Sequence, residues 1–321
     1  MLTRRRGLAA SSAFILNSAI AEAADFPTQP VKIVVPYPPG GSTDVIARLL
    51  AADMSPNLGR PVLVENRAGG NTIIAAEVVA RSTPDGHTVL MTPSTTMTVN
   101  PTVYRNLSYK VDDFAPVVLA STLPFALVVR PDRFPTLNAL ADAARAQPGH
   151  ISYGTNGPTT LHNICMLMLC ARLGILMQEI SYRGDAAQLT DFLSGILDVL
   201  VVTGATAIPL HRDGRGRILA WTSAERLAAT PDVPTLAELV DPDLVMLSWF
   251  GLMVPARTPK VAIERLNATA NTALQGTHRK ERLLAEGQLP RGGTSDDFGS
   301  FLTADIGRWQ PILSRLPVSS P

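Results

Sequence analysis

Short β-branched runs alternate with longer stretches of helical period along this chain. Val31-Lys32-Ile33-Val34-Val35 predicts a strand that ends in Pro36-Tyr37-Pro38-Pro39-Gly40-Gly41, and Thr43 to Met54 then carries apolar residues at helical spacing. Pro61 to Glu65 predicts a second strand, Asn71 to Arg81 a second helix, and Thr88 to Met91 a third strand behind the turn Pro84-Asp85-Gly86. Such alternation predicts a parallel sheet covered on both faces. The same grammar then returns. Ile151-Ser152-Tyr153 predicts a strand, Gly154 to Thr160 a turn, and Leu161 to Leu173 a helix. Gln178 to Tyr182 predicts another strand, ending at Arg183-Gly184, with Ala186 to Ser194 helical. Superposing the two turns sets Glu65-Asn66-Arg67 opposite Ser181-Tyr182-Arg183 to within about one residue, a spacing far too long for a solenoid repeat. Two similar α/β lobes facing each other account for it.

The remaining segments predict connections between the lobes. Val117 to Ser121 and Phe125 to Arg130 are strand-like on either side of Pro124, Arg217 to Thr222 returns, and Trp249 to Val254 predicts a further strand. Pro259 to Leu274 is amphipathic, with Val261, Ile263, Leu266 and Ala270 as expected core positions. Phe298 to Ile312 is a less regular helix, and both tail helices are expected on the first lobe. The expected division is 24–123 with 222–321 for a discontinuous first lobe and 124–221 for the second.

The N-terminus changes the picture of where these lobes work. Arg4-Arg5-Arg6, the apolar run Leu8 to Ile20 and the small-x-small site Ala21-Glu22-Ala23 read as a signal peptide over 1–23. The arginine pair also admits a twin-arginine export route. No later stretch is apolar over the length of a bilayer, so the mature chain is expected to be periplasmic. With 321 residues and a formal net charge of +1, the chain has room for two cores but no basic field for nucleic acid. Cys165 and Cys170 are the only cysteines; five positions apart on one helix, they point to different faces and are expected to be free. His162 and Cys165 share a helical face, yet two ligands without a second cluster predict no metal site, and no cofactor is expected.

The candidate chemistry lies in the two glycine turns. Each joins a strand to a helix start, where unpaired backbone N–H groups and the helix dipole suit an anion. Gly40 and Gly41 permit close backbone approach, Ser42 or Thr43 caps the helix or turns a hydroxyl to a ligand, and Asp44 suits the first helical turn. Thr155, Asn156, Thr159 and Thr160 offer similar donors on the second turn. Neither turn carries a nucleotide fingerprint, and no nucleophile elbow or zinc-protease motif is present, so no enzyme is expected.

The run from Val31 to Arg48, with Gly59-Arg60-Pro61-Val62, Val64-Glu65-Asn66-Arg67 and Pro84-Asp85-Gly86-His87-Thr88, resembles the Bug-type periplasmic receptors of tripartite tricarboxylate transporters. The resemblance continues through Asn100-Pro101, Asp113-Phe114-Ala115-Pro116-Val117, Tyr153-Gly154-Thr155, Tyr182-Arg183-Gly184, Pro231-Asp232-Val233-Pro234-Thr235 and Trp249-Phe250-Gly251-Leu252. It implies a type II periplasmic-binding-protein fold: two α/β lobes joined by interlobe strands, closing by hinge bending on a small organic anion, commonly a carboxylate. Carried onto this chain, it nominates Tyr37, Pro39, Gly40, Gly41, Ser42, Thr43, Ser94 and Thr95 on the first lobe. On the second it nominates Thr155, Asn156, Gly157, Thr159, His162, Tyr182, Arg183 and Gly184. Arg183 is the candidate for a charged ligand contact, with a salt bridge to Asp185 as its structural alternative. The expected partners are membrane permease subunits, or a membrane sensor if the receptor signals without transport, and the expected state is a monomer. A cleft enzyme of related fold is the remaining alternative. The chain departs from the family pattern around the pocket. Pro158 stands near the place of a glycine, Asn163 and Met166 replace an apolar residue and a glutamate, and Val202-Thr203 occupies a place where Asp-Asn is frequent.

Overall fold

A computed structural model of the chain describes residues 26–182 and 184–314. The signal segment 1–23 and Arg183 lie outside the described residues. The first lobe opens with β1 (Val31–Val35), α1 (Ser42–Leu58), β2 (Val62–Asn66), α2 (Ile73–Ala80) and β3 (Thr88–Pro93). The three strands are parallel with β1 in the centre. Along β1, Ile33 packs beneath α1 while its neighbour Val34 packs beneath α2. That double coverage is why the strand reads as a nearly unbroken apolar run.

The crossing element is β4 (Phe114–Val129), one continuous strand where the sequence predicts two around Pro124. After it come α3 (Leu137–Ala146), β5 (Ser152–Thr155), α4 (Leu161–Leu173), β6 (Gln178–Ser181) and α5 (Asp185–Ser194). The chain continues through β7 (Val199–Thr203), α6 (Gly204–Arg212), β8 (Arg217–Trp221), β9 (Leu247–Pro255) and α7 (Lys260–Gln275). It closes with α8 (Thr277–Ala285), β10 (Leu289–Pro290) and α9 (Ser295–Leu313). The main strand order is β2-β1-β3-β9-β4-β7-β5-β6. From Phe114 to Pro124, β4 pairs antiparallel with β9; from Phe125 to Val129 it pairs with β7 and β8. Pro124 has no N–H to donate and sits where the ladder changes partner, so the strand survives it.

The second lobe repeats the first. Parallel β6 and β7 flank a central β5, as β2 and β3 flank β1. The Arg67 N–H donates to the Val35 carbonyl at 2.7 Å, and the Tyr182 N–H donates to the Thr155 carbonyl at 2.9 Å. Asn66 is therefore the counterpart of Ser181, one place along from the sequence superposition.

Four apolar clusters cover the two sheets. In the first lobe α1 and α7 press on one face and α2 with the start of α9 on the other. In the second, α3 and α4 cover one face and α5 and α6 the other. Leu266 and Ala270 of α7 are fully buried as expected, but Val261 is 48% exposed because it falls outside that helix's buried stripe. The helix α9 is not confined to the first lobe: Phe298 and Leu302 pack there, whereas Trp309 and Leu313 enter the core beneath α3 and α4. Leu227, Val233, Leu236 and Leu244, between β8 and β9, also pack into the second lobe, and the chain returns to the first with β9.

Candidate functional site

The turn after β1 is held from behind. Gly40 adopts φ +93°, a conformation that favours glycine, and Gly41 precedes the first residue of α1. The Asp44 carboxylate accepts the Gly40 N–H at 3.0 Å, Arg48 Nε at 2.9 Å and Asn66 Nδ2 at 2.9 Å. Asn66 Nδ2 also donates to the Tyr37 carbonyl at 3.0 Å. Burial opposes the charge on Asp44, but the bonds from Arg48, Gly40 and Asn66 outweigh it and hold the carboxyl below its ordinary value. Asp44 thus braces the turn, and no side chain at the cap residue Gly41 takes up the first-turn N–H groups of this 17-residue helix.

That surface lines a cavity of about 520 Å³ between the lobes, in the size range of small-molecule sites. The first lobe contributes Tyr37, Pro38, Pro39, Gly40, Gly41, Ser42, Thr43 and Thr95, together with Pro93, Ser248 and Phe250. Tyr37 is pushed up to about 12 by burial, so its phenol stays a neutral donor or acceptor. Ser94 is fully buried behind this wall, its hydroxyl 3.0 Å from that of Ser248.

The second lobe places its expected residues differently. Asn156, His162 and Gly184 line the cavity; Thr155, Gly157, Thr159 and Tyr182 do not. The Thr155 hydroxyl donates to Glu179 and accepts the Gly157 N–H at 3.1 Å. Thr159 Oγ accepts from Asn71 Nδ2 at 2.7 Å, and the Tyr182 hydroxyl donates to Asp191 at 2.8 Å. These groups are spent on structure. Pro158, in the place of a glycine, passes its carbonyl to Asn163 Nδ2 at 2.8 Å, and Asn163 in turn accepts the Tyr153 hydroxyl at 2.7 Å.

The cavity wall left open by that loop is filled from elsewhere. Asp185, Ala186, Ala187 and Leu189 at the start of α5 line it, as do Thr203, Ala205 and Thr206 around the start of α6, with Leu123, Phe125 and Leu161. None of these was nominated from sequence. The one available signal was the departure at Val202-Thr203, since Thr203 proves to face the cavity. Both ring nitrogens of His162 are buried without a partner among the described residues, and the ring stacks at a tilt on Phe125 with centroids 4.4 Å apart. Burial holds its pKa below the ordinary 6.5, with the Asp185 charge opposing, so the imidazole is neutral near pH 7.

Hydrogen bonds cross between the lobes at Ser42 and at Thr159, whose Oγ1 also lies 3.5 Å from the Tyr104 hydroxyl. Ser42 Oγ lies 2.8 Å from Thr203 Oγ1, and Asn71 reaches Thr159 from a turn in which Asn71 and Thr72 hold φ +48° and +76°. Positive φ is costly for a β-branched residue; the Thr72 hydroxyl, accepting from Thr96 at 2.8 Å, helps hold the turn in place. Cys165 and Cys170 are free, with burial pushing the thiols up to about 12 and about 11. Among the described residues no group of three or more His, Cys, Asp or Glu is placed to hold a metal, and no helix is long and apolar enough to cross a membrane.

Residues 46–318 match the family described as tripartite tricarboxylate transporter family receptor. The protein BugT of Bordetella pertussis is 33% identical over 314 residues, covering 96% of this chain and 96% of that protein. A solved structure of an R. palustris protein with adipate superposes with a TM-score of 0.85 at 30% identity, covering 90% of this chain and 97% of that one. MatC from Rhodopseudomonas palustris with bound malate gives a TM-score of 0.83 at 28% identity, covering 90% of this chain and all of that one. The chain belongs to the Bug-type receptors of the tripartite tricarboxylate transporter family, which are periplasmic solute-binding proteins.

Proposed function

We propose that this protein captures a small organic anion, a carboxylate, between its lobes in the periplasm and presents it to the permease subunits of a tripartite tricarboxylate transporter. The observation that carries this reading is the braced glycine turn, which sets the N-terminus of α1 on the wall of the interlobe cavity. The proposed ligand contacts are Tyr37, Pro39 to Thr43 and Thr95 from the first lobe, with Asn156, His162 and Gly184 from the second. Ser94, Thr155, Gly157, Thr159 and Tyr182 support them. Arg183, between Tyr182 and Gly184, remains part of the proposal on sequence alone.

Magnitudes indicate how the work is divided. A carboxylate at a partly buried helix N-terminus gains up to about 2 kcal/mol, whereas micromolar binding needs about 8 kcal/mol. Covering roughly 150 Å² of apolar ligand surface supplies about 4 kcal/mol more. The Leu123, Phe125, Leu161, Leu189 and Phe250 walls are suited to that task. The reading includes closure by hinge bending: the lobes touch through Ser42 to Thr203 and Asn71 to Thr159, contacts that a bound ligand would favour.

A thermal-shift screen of the exported protein against mono-, di- and tricarboxylates and aromatic acids tests the reading. A ligand at a hundred times its Kd adds about 2.7 kcal/mol to stability, which shifts the melting temperature measurably. A response to neutral sugars or cations, with none to any organic acid, would overturn the anion assignment.

A further inference from the structure

We infer that Asn71 is an interlobe latch: it favours the closed arrangement of the lobes from outside the ligand cavity, and so sets affinity without setting selectivity. The inference rests on the closure by hinge bending proposed above and names the residue that tunes it.

Asn71 lies between β2 and α2 on the first lobe, and Thr159 in the turn between β5 and α4 on the second. Asn71 Nδ2 donates to Thr159 Oγ1 at 2.7 Å and to Asn100 Oδ1 at 3.0 Å. Neither Asn71 nor Thr159 lines the cavity, whereas Ser42 and Thr203, which also meet across the cleft, both do. The Ser42 contact is therefore open to the ligand itself, while the Asn71 contact is reached only through movement of the lobes. An asparagine at positive φ is common in turns and by itself needs no functional reason. Its neighbour does: Thr72 is β-branched, holds φ +76° and is fully buried. Two successive positive φ values are sustained by partners behind them. Asn100 Nδ2 donates to the Asn71 carbonyl at 2.8 Å, Thr96 Oγ1 donates to Thr72 Oγ1 at 2.8 Å, and the Tyr109 hydroxyl holds the Thr96 carbonyl at 2.6 Å. This costly backbone presents the Asn71 amide, already oriented, at the lobe boundary, so little freedom is lost when it meets Thr159. Asn71 is only half-buried, and when the lobes part its amide returns to water. The bond thus favours closed over open by the net worth of one hydrogen bond, about three- to tenfold in their ratio. That is a bias for a ligand to build on rather than a lock. Since the pair stays clear of the cavity, its removal should weaken all ligands by one common factor.

Pulsed electron–electron resonance between one spin label on each lobe of the ligand-free exported protein reads the ratio of closed to open molecules. Asn71→Gly removes the amide yet accepts φ +48°, and Thr159→Val removes the acceptor while keeping the shape of the side chain. Each should lower the closed-to-open ratio about threefold or more, and the double variant should lower it no further than Thr159→Val alone. A wild type that is wholly open, a ratio unchanged in both single variants, or effects that add in the double variant would overturn the latch. A lowered melting temperature with the wild-type ratio would do the same, reducing Asn71 to a turn-stabilising residue. Gly204→Leu separates failure of the latch from failure of hinge bending. Gly204 opens α6, and a Cβ there would overlap the Glu286 carbonyl oxygen and stand 2.9 Å from the Gly287 Cα. Those atoms lead into β10, which pairs with Ser121 and Thr122 of the first lobe, so the new side chain wedges the lobes apart whatever the latch does. Opening by the wedge but by neither latch variant removes the latch and keeps the hinge; one unchanged closed distance in every protein removes both.

Discussion

The turns that open α1 and α4 occupy the same place in the two halves of one repeated fold, yet they treat their polar groups in opposite ways. At α1 the bracing comes from outside the turn. Asp44, Asn66 and Arg48 fix Tyr37 to Gly41 from behind, and the helix start at Gly41 to Thr43 lines the cavity with no side-chain cap. At α4 the loop braces itself: Thr155, Gly157, Pro158, Thr160 and Asn163 take up one another's or their neighbours' donors and acceptors. The first turn thus presents its length to the cavity, whereas the second gives it Asn156 and, from the helix it opens, His162, and spends its other polar groups on the loop itself. On the second lobe much of the cavity wall comes from the starts of α5 and α6.

That contrast can be broken most sharply at Gly41. Its φ of −81° suits any L-residue, and a Cβ there would meet nothing within 4 Å, so Gly41→Phe should fold normally. The ring would enter the space claimed for the ligand. Affinity for a carboxylate ligand should fall on the order of a hundredfold by titration, with the melting temperature moved by no more than about 2 °C. A smaller and mixed effect is expected at Asp44. Asp44→Ala removes the acceptor for Gly40, Arg48 and Asn66, which should cost about 1–3 kcal/mol of stability by denaturant unfolding. The loosened turn should also weaken binding about tenfold. Loss of stability with unchanged affinity would show that the turn does not hold the ligand.

The opposite signature is expected on the second loop. Thr155→Val keeps the shape of a fully buried side chain but removes the donor to Glu179 and the acceptor for Gly157. Stability should drop by about 1 kcal/mol, and affinity should change by less than about twofold. If instead Thr155→Val abolished binding while leaving stability intact, the two turns would be functional equivalents and the comparison would fail.

The repeat itself was legible because β-branched runs and helical periods are local properties, and the ladders at Asn66 and Ser181 put the two halves in register within a residue. The fused β4 was not legible, since Pro124 reads as a breaker unless one knows that its ladder partner changes there. The path of α9 was hidden for a related reason: helical period names a buried face but not which lobe covers it. The first-lobe lining of the cavity was readable because a glycine turn between a strand and a helix stands beyond the carboxyl end of the strand, where open α/β sheets form their crevices. On the second lobe the same residue types were present, but their hydroxyls are consumed by partners distant in sequence, such as Glu179 for Thr155 and Asn71 for Thr159. Asp185 and Thr203 face the cavity through the relative placement of β6, β7 and their helices, which no local pattern encodes.

The subtlest expected effect concerns His162, where the two lobes' strategies meet. An imidazole buried against Phe125 without a partner for either nitrogen among the described residues is a poor scaffold residue, because an unsatisfied buried polar group costs stability. His162→Phe should therefore raise stability by about 1 kcal/mol, or about 2 °C, while weakening ligand binding. The pH dependence separates this from ordinary packing. Burial lowers the folded pKa beneath 6.5, so below that value the unfolded chain takes up a proton that the folded chain refuses. Stability from this group is complete above pH 6.5 and is lost on acidification, by at most about 1.4 kcal/mol per pH unit, until the folded histidine also protonates. Denaturant unfolding of wild type and His162→Phe between pH 7.5 and pH 5 should show the wild type falling faster. Parallel curves, or a variant no more stable than wild type, would mean that the imidazole finds its partner within the protein and is not held in reserve for a ligand.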